Sequence, residues 1–312
     1  MPLDRHAQRL LKMLALSGPG NAVDIVRRRG GLETLCDIGE DEIDAGVQVA
    51  DLTLRGAGED IPARLYSPEG LRRPAPALVY LHGGGWVAGS LRTHDGFCRR
   101  LASASRCKLL AVDYRLAPEH PFPAGLEDAL TAIRWIGEQA ADLGVDPMRL
   151  GVAGDSAGGG LAAAAAQILA ASDGPQIALQ LLICPILDIA RESASRQNFA
   201  EGYFLDRAAL AADLAHYVPP GADLSDPRLS PLLAEQLEAL PPALIHTAEF
   251  DPFRDEGEAY AKRLQAAGVP AQHTDHAGMI HYFYALPRPI PYAREAAQLI
   301  GEQVRTVFGA SD

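Results

Sequence analysis

From residue 47 onward, short apolar runs alternate with longer helical stretches, and that alternation restricts the chain to one fold class. Residues 47–54 and 61–66 read as two early strands joined through a turn at Gly56 and Gly58. Runs of the fully buried kind follow at 77–81, 109–112, 150–153, 179–184 and 243–246, with a weaker one at 271–275. Helical stretches separate them near 94–105, 126–141, 157–171, 256–267 and 293–307. Repeated strand–helix alternation implies crossover connections, so the expectation is an α/β fold with a mostly parallel sheet covered by helices on both faces.

Two segments depart from this rhythm. In residues 1–45, Leu3, Ala7, Leu10 and Leu14 recur at helical spacing, with Arg5, Arg9 and Lys12 outside the stripe. A second helical piece is expected from about Asn21 to Arg29, stopping at Gly30-Gly31. Residues 189–230 hold a helix at 207–217 and a turn at Pro219-Pro220, and read as an insertion above the carboxyl edge of the sheet. The organisation is therefore N-terminal helices (1–45), a first core part (46–188), the insertion (189–230) and a second core part (231–312).

Composition removes several function classes. With 40 acidic against 28 basic side chains the net charge is −12, and no basic stripe offsets it, which excludes nucleic-acid binding. Cys36, Cys98, Cys107 and Cys184 form no C-x-x-C pair, so neither a disulfide framework nor a zinc knuckle is expected. The N-terminus lacks the pattern of a signal peptide, and no apolar run is long enough for a membrane span. A cytoplasmic, reducing setting is the expectation.

Chemistry concentrates at the expected carboxyl ends of strands. Gly154-Asp155-Ser156-Ala157-Gly158 is G-x-S-x-G between a strand and a helix, where small residues allow a sharp turn that presents Ser156 at a helix N-terminus. A capping serine in a glycine-rich turn would give the same bare pattern, but a second glycine turn, His82-Gly83-Gly84-Gly85-Trp86, closes residues 77–81. Backbone amides of Gly83, Gly84 and Ala157 can there serve a tetrahedral oxyanion. A serine nucleophile also needs a histidine held by a carboxylate. His281 stands in a loop beyond the last strand, with His276 as an alternative at that strand's end. No H-E-x-x-H pattern makes a metal site of His273, His276 and His281. Asp251 follows the strand at 243–246. Asp255 reads as a helix cap, and Asp188 remains a rival acid.

With these motifs in place, the chain resembles the hormone-sensitive-lipase-like branch of the α/β-hydrolases, the bacterial family IV esterases. The glycine turns carry the resemblance, together with Asp113-Tyr114-Arg115-Leu116-Ala117-Pro118-Glu119, Asp251-Pro252-Phe253-Arg254-Asp255-Glu256-Gly257 and Gly278-Met279-Ile280-His281. It implies an eight-stranded sheet and a triad of Ser156, Asp251 and His281. It also implies an oxyanion hole from Gly83, Gly84 and Ala157, and a cap formed by the N-terminal helices and the insertion. Two positions depart from the family pattern: Gly160 stands where Asn is common, and Tyr282 where Gly is common.

The expected activity is hydrolysis of small-molecule esters with short to medium acyl chains, without metal or cofactor and without a membrane. Trp86, Tyr203, Phe204 and Tyr282 are candidate pocket aromatics. A receptor of the same fold would lack the histidine, and an amidase or peptidase would use the same triad. The last strand, expected at the sheet edge, is a candidate surface for a homodimer.

Overall fold

Ala75–Leu81, Lys108–Val112 and Leu179–Ile183 are buried at every residue, which only strands covered on both faces can be. The computed structural model describes residues 1–16, 24–40, 46–56 and 58–309. Its strands are β1 (Val47–Arg55), β2 (Asp60–Pro68), β3 (Ala75–Leu81), β4 (Lys108–Val112), β5 (Val145–Asp155), β6 (Leu179–Ile183), β7 (Ala243–Phe250) and β8 (Ala271–Ile280). They form one sheet in the order β1-β2-β4-β3-β5-β6-β7-β8. β2 pairs antiparallel with both β1 and β4, and every later neighbour pair is parallel.

The helices are α1 (Arg5–Leu16), α2 (Ile25–Gly39), α3 (Asp95–Ser105), α4 (Ala124–Glu138), α5 (Ala140–Leu143), α6 (Ala157–Ala170), α7 (Ala194–Asn198), α8 (Arg207–Tyr217), α9 (Arg254–Ala266) and α10 (Tyr292–Val307). α3 packs with α10 and α4 with α6, covering the two faces of the sheet.

Three local expectations are corrected. α2 does not stop at Gly30-Gly31 but runs on to Gly39. Its second half buries Leu32, Leu35 and Cys36, and that packing outweighs a glycine cost of about 1 kcal/mol per residue. Asn21–Val23, assigned to this helix from sequence, lie outside the described residues; Asp24 caps the helix by accepting the amides of Val26 and Arg27. β8 extends past residue 275 to Ile280, because a register shift opposite Ala248 and Phe250 keeps it paired with β7. Asp255 is not a helix cap: it lies in the first turn of α9, and its carboxylate accepts the amide of Ser195.

Candidate active site

β5 enters the turn at Asp155, and α6 begins two residues later at Ala157. Ser156 between them has φ +52°, an uncommon conformation for a residue with a side chain and one that marks a functional turn. Two residues to either side of the serine only glycine fits: a Cβ at Gly158 would collide with the Leu81 carbonyl, and one at Gly154 with the Gly158 carbonyl. The departure at Gly160 has the same cause, since a Cβ there would lie 2.5 Å from the Ile186 carbonyl.

Asp251 follows β7 directly and His281 follows β8 directly, so adjacent parallel strands deliver both to one edge of the sheet. His281 Nδ1 lies 2.7 Å from Asp251 Oδ2, and its Nε2 lies 3.0 Å from Ser156 Oγ. A carboxylate only accepts, so Nδ1 carries the proton and Nε2 is left to accept from the serine. The amide of Phe253 donates to the other oxygen of Asp251 at 2.8 Å and fixes its orientation. All three side chains are buried. Tyr282, where the family favours Gly, keeps the left-handed backbone (φ +67°) that glycine would supply. Its ring is buried and stacked on Phe204, which offsets the conformational cost.

The rival residues are engaged elsewhere. His276 is bonded to His246 and to the Tyr292 hydroxyl, both at 3.0 Å, and burial pushes its pKa down to about 4. Asp188 accepts the amides of Ala190 and Arg191 and the Arg191 guanidinium. Cys184, Asp251 and His281 place ligand atoms within 4.8 Å of one another. The 2.7 Å contact is nevertheless hydrogen-bond spacing, shorter than the roughly 3.4 Å between two ligands on tetrahedral zinc.

In the glycine loop after β3, one of the amides expected at the cavity is already engaged. The Gly83 amide donates to Asp155 Oδ1 at 2.9 Å. Gly84 and Gly85 line the cavity over Ser156, and among the described residues no acceptor takes up their amides. Of the two loop amides expected at the cavity, that of Gly83 is thus held by Asp155, while Gly84 and Gly85 are the glycines that line it. Ala157 opens α6, so its amide is one of the four that a helix leaves unpaired. The segment after β4 braces this loop: the Tyr114 hydroxyl donates to the His82 carbonyl at 2.7 Å, and the Ala117 amide to the Trp86 carbonyl at 2.9 Å.

Above the serine lies a cavity of about 490 Å³. Leu14 of α1, Leu35 of α2 and Leu210 of α8 contribute apolar walls, and Phe204 and Tyr282 lie beside His281. Trp86 and Tyr203, the other two candidate aromatics, are not in the lining: Trp86 stacks on Tyr217 at 4.5 Å and Tyr203 on Phe250 at 5.6 Å. Sequence reasoning missed Gly85, and it missed the Arg28–Asp213 ion pair in the cavity wall. No local signal pairs Arg28 with Asp213.

The family described as the alpha/beta hydrolase fold matches residues 78–285. Carboxylesterase NlhH of Mycobacterium tuberculosis is 45% identical over 241 residues, covering 76% of this chain and 75% of its own. Ethyl acetate hydrolase of Pseudomonas putida is 41% identical over 263 residues, 82% of each chain. Among solved structures, the ester hydrolase EH1AB1 from the metagenome of Lake Arreo, complexed with a bipyridine phosphonate derivative, superposes with a TM-score of 0.94. It is 41% identical, and the match covers 98% of this chain and 99% of that one. With its elbow serine, its glycine loop and these relatives, the chain belongs to the alpha/beta hydrolase fold family, in the hormone-sensitive-lipase-like branch.

Proposed function

We propose that the chain is a carboxylesterase in which Ser156 is the nucleophile, His281 the general base and acid, and Asp251 the carboxylate that orients the imidazole. The observation that carries this reading is His281, bonded on one side to Asp251 and on the other to Ser156. Ser156 Oγ attacks the ester carbonyl while Nε2 takes its proton, and Asp251 stabilises the imidazolium that results. The amides of Gly84, Gly85 and Ala157 receive the developing oxyanion. Collapse of the tetrahedral species expels the alcohol, which leaves with the proton from Nε2. Water then attacks the acyl-enzyme by the same steps and releases the acid. No step calls on a metal or cofactor.

The N-terminal helices and the insertion at 189–230 act as a cap over the cavity, and its size suits short to medium acyl groups. Among the described residues no helix is long and apolar enough to cross a membrane. All four cysteines are buried free thiols, in keeping with the cytoplasm. The edge position of β8 supports association of two copies through that strand. A panel of p-nitrophenyl esters with a p-nitroanilide control tests the reading. Turnover of the esters with a marginal anilide rate is expected. A chain that binds the esters without turnover would be a receptor, and comparable anilide turnover would make it an amidase.

A further inference from the structure

Asp155 is fully buried, yet both of its oxygens are filled. Oδ1 accepts the Tyr80 hydroxyl at 2.6 Å and the Gly83 amide at 2.9 Å, and Oδ2 accepts the Tyr284 hydroxyl at 2.7 Å. His94 Nε2 lies 3.4 Å from Oδ2. A carboxylate without water persists only where such donors replace the water. Burial alone would raise its pKa, but His94 and the hydroxyls of Tyr80 and Tyr284 outweigh burial and hold it at about 2.

The donors come from separate parts of the site. Tyr80 belongs to β3, and Gly83 to the loop that carries the oxyanion donors. Tyr284 stands three residues after His281, and Asp155 itself is bonded covalently to Ser156. The loop rests directly on this carboxylate, since a Cβ at Gly83 would collide with Oδ2. With the Gly83 amide committed to Asp155, the next two amides are the ones left at the cavity. No step of the proposed reaction uses an atom of Asp155.

We propose that Asp155 is a positioning residue that fixes the oxyanion loop and the histidine loop relative to the nucleophile, acting through the Gly83 amide and the Tyr284 hydroxyl. The proposal rests on Ser156 being the nucleophile. A carboxylate that served only the stability of the core would change how many molecules are folded, not how fast each folded molecule turns over.

The test therefore measures kcat per active serine on p-nitrophenyl butyrate, with serines counted by stoichiometric labelling with diethyl p-nitrophenyl phosphate. For Asp155→Ala, kcat per labelled serine should fall about 10²-fold, comparable to loss of one oxyanion donor, while KM stays within about threefold. Asp155→Asn should recover part of the loss, because its amide oxygen can still accept the Gly83 N–H. Tyr284→Phe should cost several-fold alone and little more in the Asp155→Ala background. A kcat per labelled serine within about twofold of wild type in Asp155→Ala would overturn the proposal. If that variant does not fold, unchanged values in both Asp155→Asn and Tyr284→Phe would do the same. Failure of the phosphate to label wild-type Ser156 would instead remove the reading on which the proposal stands.

Discussion

Arg28 on α2 and Asp213 on α8 meet at 3.1 Å in the wall of the cavity, so a single ion pair ties together two helices that enclose it. Asp213 presses so closely on the glycine loop that a Cβ at Gly85 would collide with its carboxylate. Burial raises the pKa of Asp213, and the Arg28 guanidinium opposes that rise. Arg28→Met should strand a buried charge and destabilise the protein by about 2 kcal/mol, less than a fully buried pair because Arg28 is 22% exposed. The thermal midpoint should fall by several degrees, and Arg28→Met/Asp213→Leu should regain most of it. A double variant no more stable than the single would contradict this account.

Substitution separates the two late histidines. Ser156→Ala should lower kcat by on the order of 10⁶, and His281→Ala should be nearly as damaging, since triad members act as a unit. His276→Ala should remain within about tenfold, because its ring is bonded to His246 and Tyr292 and not to the serine. The reverse ranking of the two histidines in steady-state assays would move the base to His276.

Acid should unfold the protein through the same buried pair. Burial holds His276 neutral with a pKa of about 4 and pushes His246 well below the usual histidine value, whereas an unfolded histidine titrates near about 6.5. Between these values the unfolded chain binds more protons. Stability is therefore fully present above about pH 6.5 and is lost as pH falls toward about 4. Urea midpoints for wild type and His276→Gln should converge at acid pH, and parallel pH curves would exclude His276 as a source.

The cavity predicts an optimum for acyl chains of about four to eight carbons. Rates should fall for p-nitrophenyl esters beyond about twelve carbons, and no activation is expected on an emulsified interface. Efficient hydrolysis of emulsified long-chain triacylglycerol would show that the cap opens far wider than the cavity of about 490 Å³.

Among the described residues, β8 has β7 on one side and no further strand of the sheet on the other. A homodimer formed through this edge should appear by light scattering near twice the 33.2 kDa chain mass. Proline at His273 should shift it toward monomer, because the ladder that bonds the Ala243 amide to the Pro270 carbonyl leaves the amide of residue 273 on the open side of β8. A monomer in wild type, or a dimer indifferent to the proline, would exclude this interface.

Local pattern in the sequence was enough for the eight strands and for the order of serine, acid and histidine. Strand and helix periodicities are written in neighbouring residues, and the sharp turn at Ser156 needs small residues on either side of it. The same locality explains what the sequence could not decide. Gly83 and Gly84 look equivalent in a run of three glycines until Asp155, 72 residues away, takes the amide of the first. Trp86 and Tyr203 look like pocket aromatics until Tyr217 and Phe250 turn them aside. His276 and His281 lie five residues apart, and only the shifted register of β8 against β7 sets one toward His246 and the other toward Ser156. Hydrogen-bond partners and ring contacts of this kind are chosen across the sheet, between segments that have no mutual signature in the chain, so the tertiary structure alone assigns them.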